Sequence, residues 1–125
     1  MVHIMRSGYE KQIATQLDKA KIKYVYEPCV LAYKLNKKYT PDFAIEGKSW
    51  FLESKGRFVS SDRTKLLAVR EQNPGIEIRL VFQRNNKLSK TSKTRYSDWA
   101  KKHKFKYALD KIPKQWLKSG VNKNG

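Results

Sequence analysis

Between Thr40 and Lys55 the chain reads as two adjacent strands with little freedom to be anything else. Phe43-Ala44-Ile45 and Trp50-Phe51-Leu52 are short apolar runs, and Glu46-Gly47-Lys48-Ser49 between them is a polar stretch with a glycine, the pattern of a β-hairpin. A two-residue loop at Gly47 and Lys48 pairs Phe43 with Leu52 and sets Asp42 opposite Glu53, with both carboxylates on one face. Like charges in that position cost a few tenths to about 1 kcal/mol. A hard divalent cation held by oxygen ligands is the usual compensation. Lys55 shares the face of Glu53 by the strand period of two, where it either pairs with the acids or serves in chemistry. The competing reading is a solvated hairpin with scattered charges, and a three-residue loop would shift the register by one.

Composition weighs against the solvated hairpin. The chain has 28 Lys and Arg against 11 Asp and Glu, a formal net charge of +17 and a pI near 10.1, the footprint of a polyanion-binding protein. The cations run through the whole length and alternate with aromatics, as in Arg57-Phe58, Arg95-Tyr96 and Lys104-Phe105-Lys106-Tyr107. That favours nucleic acid over a membrane, since no apolar run approaches the ~20 residues needed to span a bilayer and no basic amphipathic helix stands out. At 125 residues, with 39% hydrophobic and 12% aromatic residues, a single folded domain over 1–125 is expected, with its core at about 6–118 and a flexible tail at 119–125. Met1 to Met5 is too short for a signal peptide, so an intracellular location is expected. Cys29, the sole cysteine, reads as a core filler on a strand.

The order of elements is α/β. Ser7 and Glu10 fit a capping box that opens a helix from about Gly8 to Lys21, with Tyr9, Ile13, Leu17 and Ala20 on one face. Residues 23–33 read as one long strand or two short ones, interrupted at Pro28. Ser60-Ser61-Asp62 supplies caps for a helix that Asn73-Pro74-Gly75 ends. Ile76 to Phe82 is a buried strand, and the strand, helix, strand spacing permits a parallel crossover. Residues 83–94 form a polar, basic loop. Ser97 or Asp98 caps a short helix reaching His103, and Ile112 to Leu117 reads as a last helical turn. Trp50, Trp99 and Trp116 are expected in the core. His3 and His103 lack partners at metal-ligand spacing.

Asp42 after Pro41, followed by Glu53-Ser54-Lys55, is a constellation common to many metal-dependent nucleases. Joined to Arg6-Ser7-Gly8-Tyr9-Glu10, Tyr39-Thr40-Pro41-Asp42-Phe43, Glu53-Ser54-Lys55-Gly56, Ser61-Asp62-Arg63, Val69-Arg70-Glu71-Gln72-Asn73-Pro74 and Ile78-Arg79-Leu80-Val81-Phe82, it resembles the endonuclease I family of T-seven-like phages over residues 6 to 118. The resemblance implies a restriction-endonuclease-like α/β core, a mixed β-sheet flanked by helices. It further implies an intertwined, domain-swapped homodimer, in which the N-terminal helix and first strand of one chain complete the catalytic domain of the other. The implied activity is resolution of four-way (Holliday) junctions and other branched DNA with Mg2+ or Mn2+, two ions per site, in the cytoplasm of a bacterial host.

By the same resemblance Glu10, Asp42, Glu53 and Lys55 form the catalytic set. Asp42, Glu53, the Ser54 carbonyl and Glu10 would be the metal ligands, with Glu10 supplied by the partner chain. Locally Glu10 has a second reading, as the box residue that satisfies the backbone at Ser7. Lys55 would orient the attacking water or offset phosphate charge, and an ammonium beside a metal pair is open to a lowered pKa. Arg6, Arg57, Lys65, Arg70, Lys87, Lys90, Lys93 and Arg95 are candidate DNA contacts, read as phosphate contacts that recognise shape and not sequence. Three other readings are compatible with the residues: a nicking or restriction-type duplex endonuclease, a non-enzymatic basic DNA-binding protein, and, more weakly, a basic RNA-binding domain.

Overall fold

A computed structural model of the chain describes residues 5, 7–33 and 37–118; Arg6, His3 and the tail at 119–125 lie outside the described residues. The first helix, α1 (Gly8–Lys19), starts at Ser7, whose hydroxyl accepts the Glu10 amide at 3.0 Å. It buries Tyr9, Ile13, Ala14 and Leu17, while Ala20, expected on that face, is its exposed C-cap. Residues 23–33 divide into β1 (Tyr24–Tyr26) and β2 (Leu31–Tyr33), separated by Pro28 and by Glu27 at φ +50. β2 pairs antiparallel with β3 (Lys37–Tyr39) as a separate two-stranded sheet, an element whose basic sequence gave no apolar alternation. Cys29 sits in the connection, half-buried, and not on a strand.

The main sheet has the order β1-β4-β5-β6-β7. β4 (Phe43–Ile45) and β5 (Trp50–Lys55) are antiparallel with Phe43 opposite Leu52 and Ala44 opposite Phe51, the register expected from the hairpin. The reversal itself is centred one residue earlier than expected. Lys48 N donates to Ile45 O at 3.0 Å and Gly47 takes φ +83, a conformation that glycine adopts without a Cβ penalty.

From β5 the chain crosses through α2 (Ser60–Gln72) to β6 (Glu77–Phe82), parallel to β5, and then through α3 (Tyr96–Lys102) to β7 (Tyr107–Leu109), parallel to β6. The sheet is therefore mixed, and the α/β expectation holds. Both crossover helices start by a device the serines only half indicated. Asp62 Oδ2 accepts Val59 N at 3.1 Å and Asp98 Oδ2 accepts Arg95 N at 2.9 Å, so an acid in the first turn reaches back to the residue before the helix. A last turn, α4 (Lys114–Leu117), follows.

Two hydrophobic clusters cover the sheet. One joins α1 to Tyr26, Phe43, Ile45, Trp50, Leu52 and Val81. The other joins α2 and α3 to Tyr39, Phe58, Ile78, Leu80, Phe82 and Phe105. Trp50 and Trp99 are buried, and Trp116 packs on Trp50 with ring centroids 5.8 Å apart. Trp50 and Leu52 of β5 are buried on one face, and β6 beside it is buried on both, with Val81 in one cluster and Ile78, Leu80 and Phe82 in the other; that packing holds the central strands, and hence the acids at the end of β5, in a fixed frame.

Candidate active site

The site forms where β4 begins and β5 ends. Asp42 and Glu53 are only 7% and 5% exposed, although carboxylates are seldom buried without partners. Each has one oxygen satisfied by protein donors. Asp42 Oδ2 accepts both the amide and the hydroxyl of Ser54, each at 2.8 Å. Glu53 Oε1 accepts the Tyr39 hydroxyl at 2.6 Å and the Asp42 amide at 3.3 Å. Lys55 Nζ stands 3.4 Å from Glu53 Oε2 and 3.3 Å from Asp62 Oδ1. Among the described residues no hydrogen bond reaches Asp42 Oδ1, and no buried side-chain polar atom lacks a partner, so that oxygen opens to the surface.

The electrostatics follow from burial. Desolvation, then the charge of Glu53, pushes the Asp42 carboxyl from 3.8 up to about 8, against the pull of the Ser54 amide and hydroxyl. Burial also pushes Glu53 up, partly offset by Lys55 and the Tyr39 hydroxyl. For Lys55 burial acts downward, but the carboxylates of Glu53 and Asp62 outweigh it and the net shift is upward. The two neighbouring acids thus favour the ammonium form of Lys55.

Glu10 stands apart from this group. Its carboxylate accepts the Tyr26 hydroxyl at 2.6 Å; the structure gives it that partner, not the backbone at Ser7 expected of a capping box. Among the described residues no three His, Cys, Asp or Glu side chains converge closely enough to hold an ion together. Glu10 is near enough for its charge to raise Asp42, and it reaches the edge of the site from its own chain. The reason is geometric: α1 packs in one hydrophobic cluster and α2 in the other, and Glu10 lies in the first turn of α1.

Asp42 and Glu53 fit a hard divalent cation on the donors alone. They are paired carboxylates, each oriented through one oxygen by hydrogen bonds, while the second oxygen of Asp42 takes no protein hydrogen bond among the described residues and that of Glu53 meets Lys55; outer hydrogen bonds orient metal-binding acids in this way. The sequence motifs include Tyr39 and Asp62 but give neither a role at the site, and they give none to the Ser54 hydroxyl. Ser54 was considered for its carbonyl, Asp62 for a helix start. Tyr39 immediately precedes Thr40-Pro41-Asp42, and that proximity was the one available hint.

The candidate DNA contacts separate into groups. Arg57, Lys87 and Lys90, with Arg63, line a groove of about 530 Å3 that runs from the end of β5 past the start of α2. Lys87 and Arg95 pair across the base of the 83–94 loop, closed by Leu88 N to Thr94 O at 2.8 Å, and Lys93 is exposed beyond them. Lys65 lies over the Tyr39 ring at 5.7 Å. Arg70 is placed differently, donating to His103 O at 2.6 Å with its guanidinium 4.2 Å from the Phe105 ring centroid. Neither the basic groove nor a larger one, of about 800 Å3 along β1 and β4, is lined by Asp42, Glu53 or Lys55; among the described residues the larger one has no cluster of cations of the kind that Arg57, Arg63, Lys87 and Lys90 form.

Comparison with known proteins gives a consistent result. The sequence model described as phage endonuclease I matches residues 1–124. The chain is 40% identical over 121 residues to the endonuclease I of Escherichia phage T7, an alignment covering 94% of this chain and 80% of the phage protein. It is 38% identical over 138 residues to the endodeoxyribonuclease 1 of Enterobacteria phage T3, covering 96% and 90% respectively.

Proposed function

Because the chain belongs to the phage endonuclease I family, we propose that it is a metal-dependent endodeoxyribonuclease that resolves four-way junctions and other branched DNA by paired phosphodiester hydrolysis. The observation that carries the reading is the buried Asp42 and Glu53 pair beside Lys55 at the end of β5, in a chain of net charge +17 whose basic groove begins two residues on, at Arg57. Asp42, Glu53 and the Ser54 carbonyl would hold Mg2+ or Mn2+, with Glu10 completing a second ion position. Such ions supply an activated water and offset charge on the phosphoryl and leaving oxygens.

The remaining work falls to the chain itself. Lys55, whose ammonium form is favoured by Glu53 and Asp62, acts as a cation toward the scissile phosphate. The groove at Arg57, Lys87 and Lys90 takes the phosphate backbone of an arm and reads its path more than its sequence. A homodimer would present two such sites and two grooves, so that a branched DNA satisfies both while a straight duplex must bend. Two symmetric cuts follow from that arrangement. The cytoplasm of a bacterial host is the corresponding place of action.

Cleavage of an end-labelled immobile four-way junction beside a linear duplex of matching arms, with magnesium or chelator, tests the proposal. Wild type should make symmetric, metal-dependent cuts near the branch point, and Glu53→Ala should make none. Equal cutting of both DNAs would indicate a duplex endonuclease, and tight binding without cutting a DNA-binding protein.

A further inference from the structure

Tyr39 is a nearly buried tyrosine, 4% exposed, on β3 of the small sheet. A phenylalanine would fill the same space without needing a hydrogen-bond partner. The hydroxyl instead ends 2.6 Å from Glu53 Oε1, and the Asp42 amide adds a second, longer bond to the same atom at 3.3 Å. A carboxylate oxygen has about two lone-pair sites, so Oε1 is filled by the protein. Oε2 meets Lys55 at 3.4 Å and is the oxygen that no hydroxyl or backbone amide occupies among the described residues. The Ser54 hydroxyl and amide treat Asp42 in the same way, filling Oδ2. The difference is that Ser54 belongs to β5 itself, whereas Tyr39 comes from the separate sheet and clamps Glu53 from outside its own strand.

We infer that Tyr39 is a positioning residue for Glu53: by occupying one carboxylate oxygen with its hydroxyl it presents the other to a divalent cation. The inference rests on the metal-dependent reading above and adds a residue to it. Without the hydroxyl, Glu53 keeps its place in the strand but is free to turn about its last bond, with only the Asp42 amide to hold Oε1. The expected effect is on ion affinity, with DNA affinity preserved, and loss of such an outer partner typically weakens metal binding about 10- to 100-fold.

The test is calorimetric titration of Mn2+ into wild type, Tyr39→Phe, Glu53→Gln and Tyr9→Phe in the absence of DNA, each checked by thermal melting. Tyr9 is the control, because its hydroxyl donates to Asp110 O at 2.9 Å, outside the site. Tyr39→Phe should bind the ion about 10- to 100-fold more weakly than wild type or Tyr9→Phe. Raised Mn2+ should then restore its junction cleavage at unchanged KM for DNA. If Tyr39→Phe binds as tightly as wild type while Glu53→Gln does not bind, the positioning role is wrong and the metal site stands. If wild type and Glu53→Gln are indistinguishable, the metal-dependent reading fails and the inference with it.

Discussion

Asp42 shows how burial turns an ordinary acid into a pH-sensitive one. Its pKa in the fold, about 8 against 3.8 when unperturbed, means that the folded chain keeps a proton that the unfolded chain has released. Stability contributed by that proton is present below the unfolded value and is lost as pH rises through the window. Ion-free wild type should therefore lose stability relative to Asp42→Asn between about pH 4 and pH 8, measured by thermal melts of the two proteins across that range. Ion binding must displace the proton, so Mn2+ affinity should rise over the upper part of the same window. Asp62 offers a second check at this scale. One oxygen accepts the Val59 amide and the other meets Lys55, and Asp62→Asn can retain only one of these. We predict an unchanged melt and a single-turnover cleavage rate lower by on the order of tenfold, an effect that should vanish in a Lys55→Ala background if Asp62 acts through Lys55.

At the scale of elements, the same residue type serves different ends according to where the element carries it. Arg70 and Lys90 look alike in the sequence as basic residues near apolar ones. Arg70 projects from α2 onto the end of α3, where it caps the His103 carbonyl and stacks on Phe105. Lys90 lies exposed on the 83–94 loop beside the groove. Arg70→Ala should cost about 2 kcal/mol of stability and leave the salt dependence of DNA binding unchanged. Lys90→Ala should leave stability unchanged and lower the salt slope by about one, both measurable by melts and by binding titrations across ionic strength. The hairpin was legible because alternation and turn chemistry act over a few residues; β3 and β7 were not, since Lys37-Lys38-Tyr39 and Tyr107-Ala108-Leu109 become strands only through β2 and β6. Asp62 and Asp98 at the helix starts were legible as helix signals, but which residue they serve depends on where the chain enters the helix.

For the whole molecule, the question is which chain supplies Glu10. Within one chain α1 packs on its own sheet and Glu10 reaches Tyr26. An exchange of α1 between two chains would reproduce those contacts between subunits without altering any interface, because the packed surfaces are identical. Mixing Glu10→Ala chains with Asp42→Ala chains decides between the arrangements. If sites are composite, refolded mixtures should recover one working site per dimer and produce nicks on junction DNA; if α1 stays with its own sheet, the mixture should remain as inactive as either variant alone. The high positive charge acts at this scale too, drawing any DNA to the surface, so binding strength by itself says little about junction preference.

Residue order alone determined the things that depend on neighbours in sequence: the Phe43 to Leu52 register, the helix that Ser7 opens, the strand at Ile76 to Phe82, and the pairing of Asp42 with the Glu53-Ser54-Lys55 segment. It also determined the net charge, which needs no coordinates. Only the tertiary structure decided which oxygen of each acid is occupied, that Tyr39 and Asp62 meet Glu53 and Lys55, and that Arg70 is committed to packing. Those outcomes depend on desolvation and on contacts between residues brought together from separate elements, and neither quantity exists until the sheets and helices close around the site.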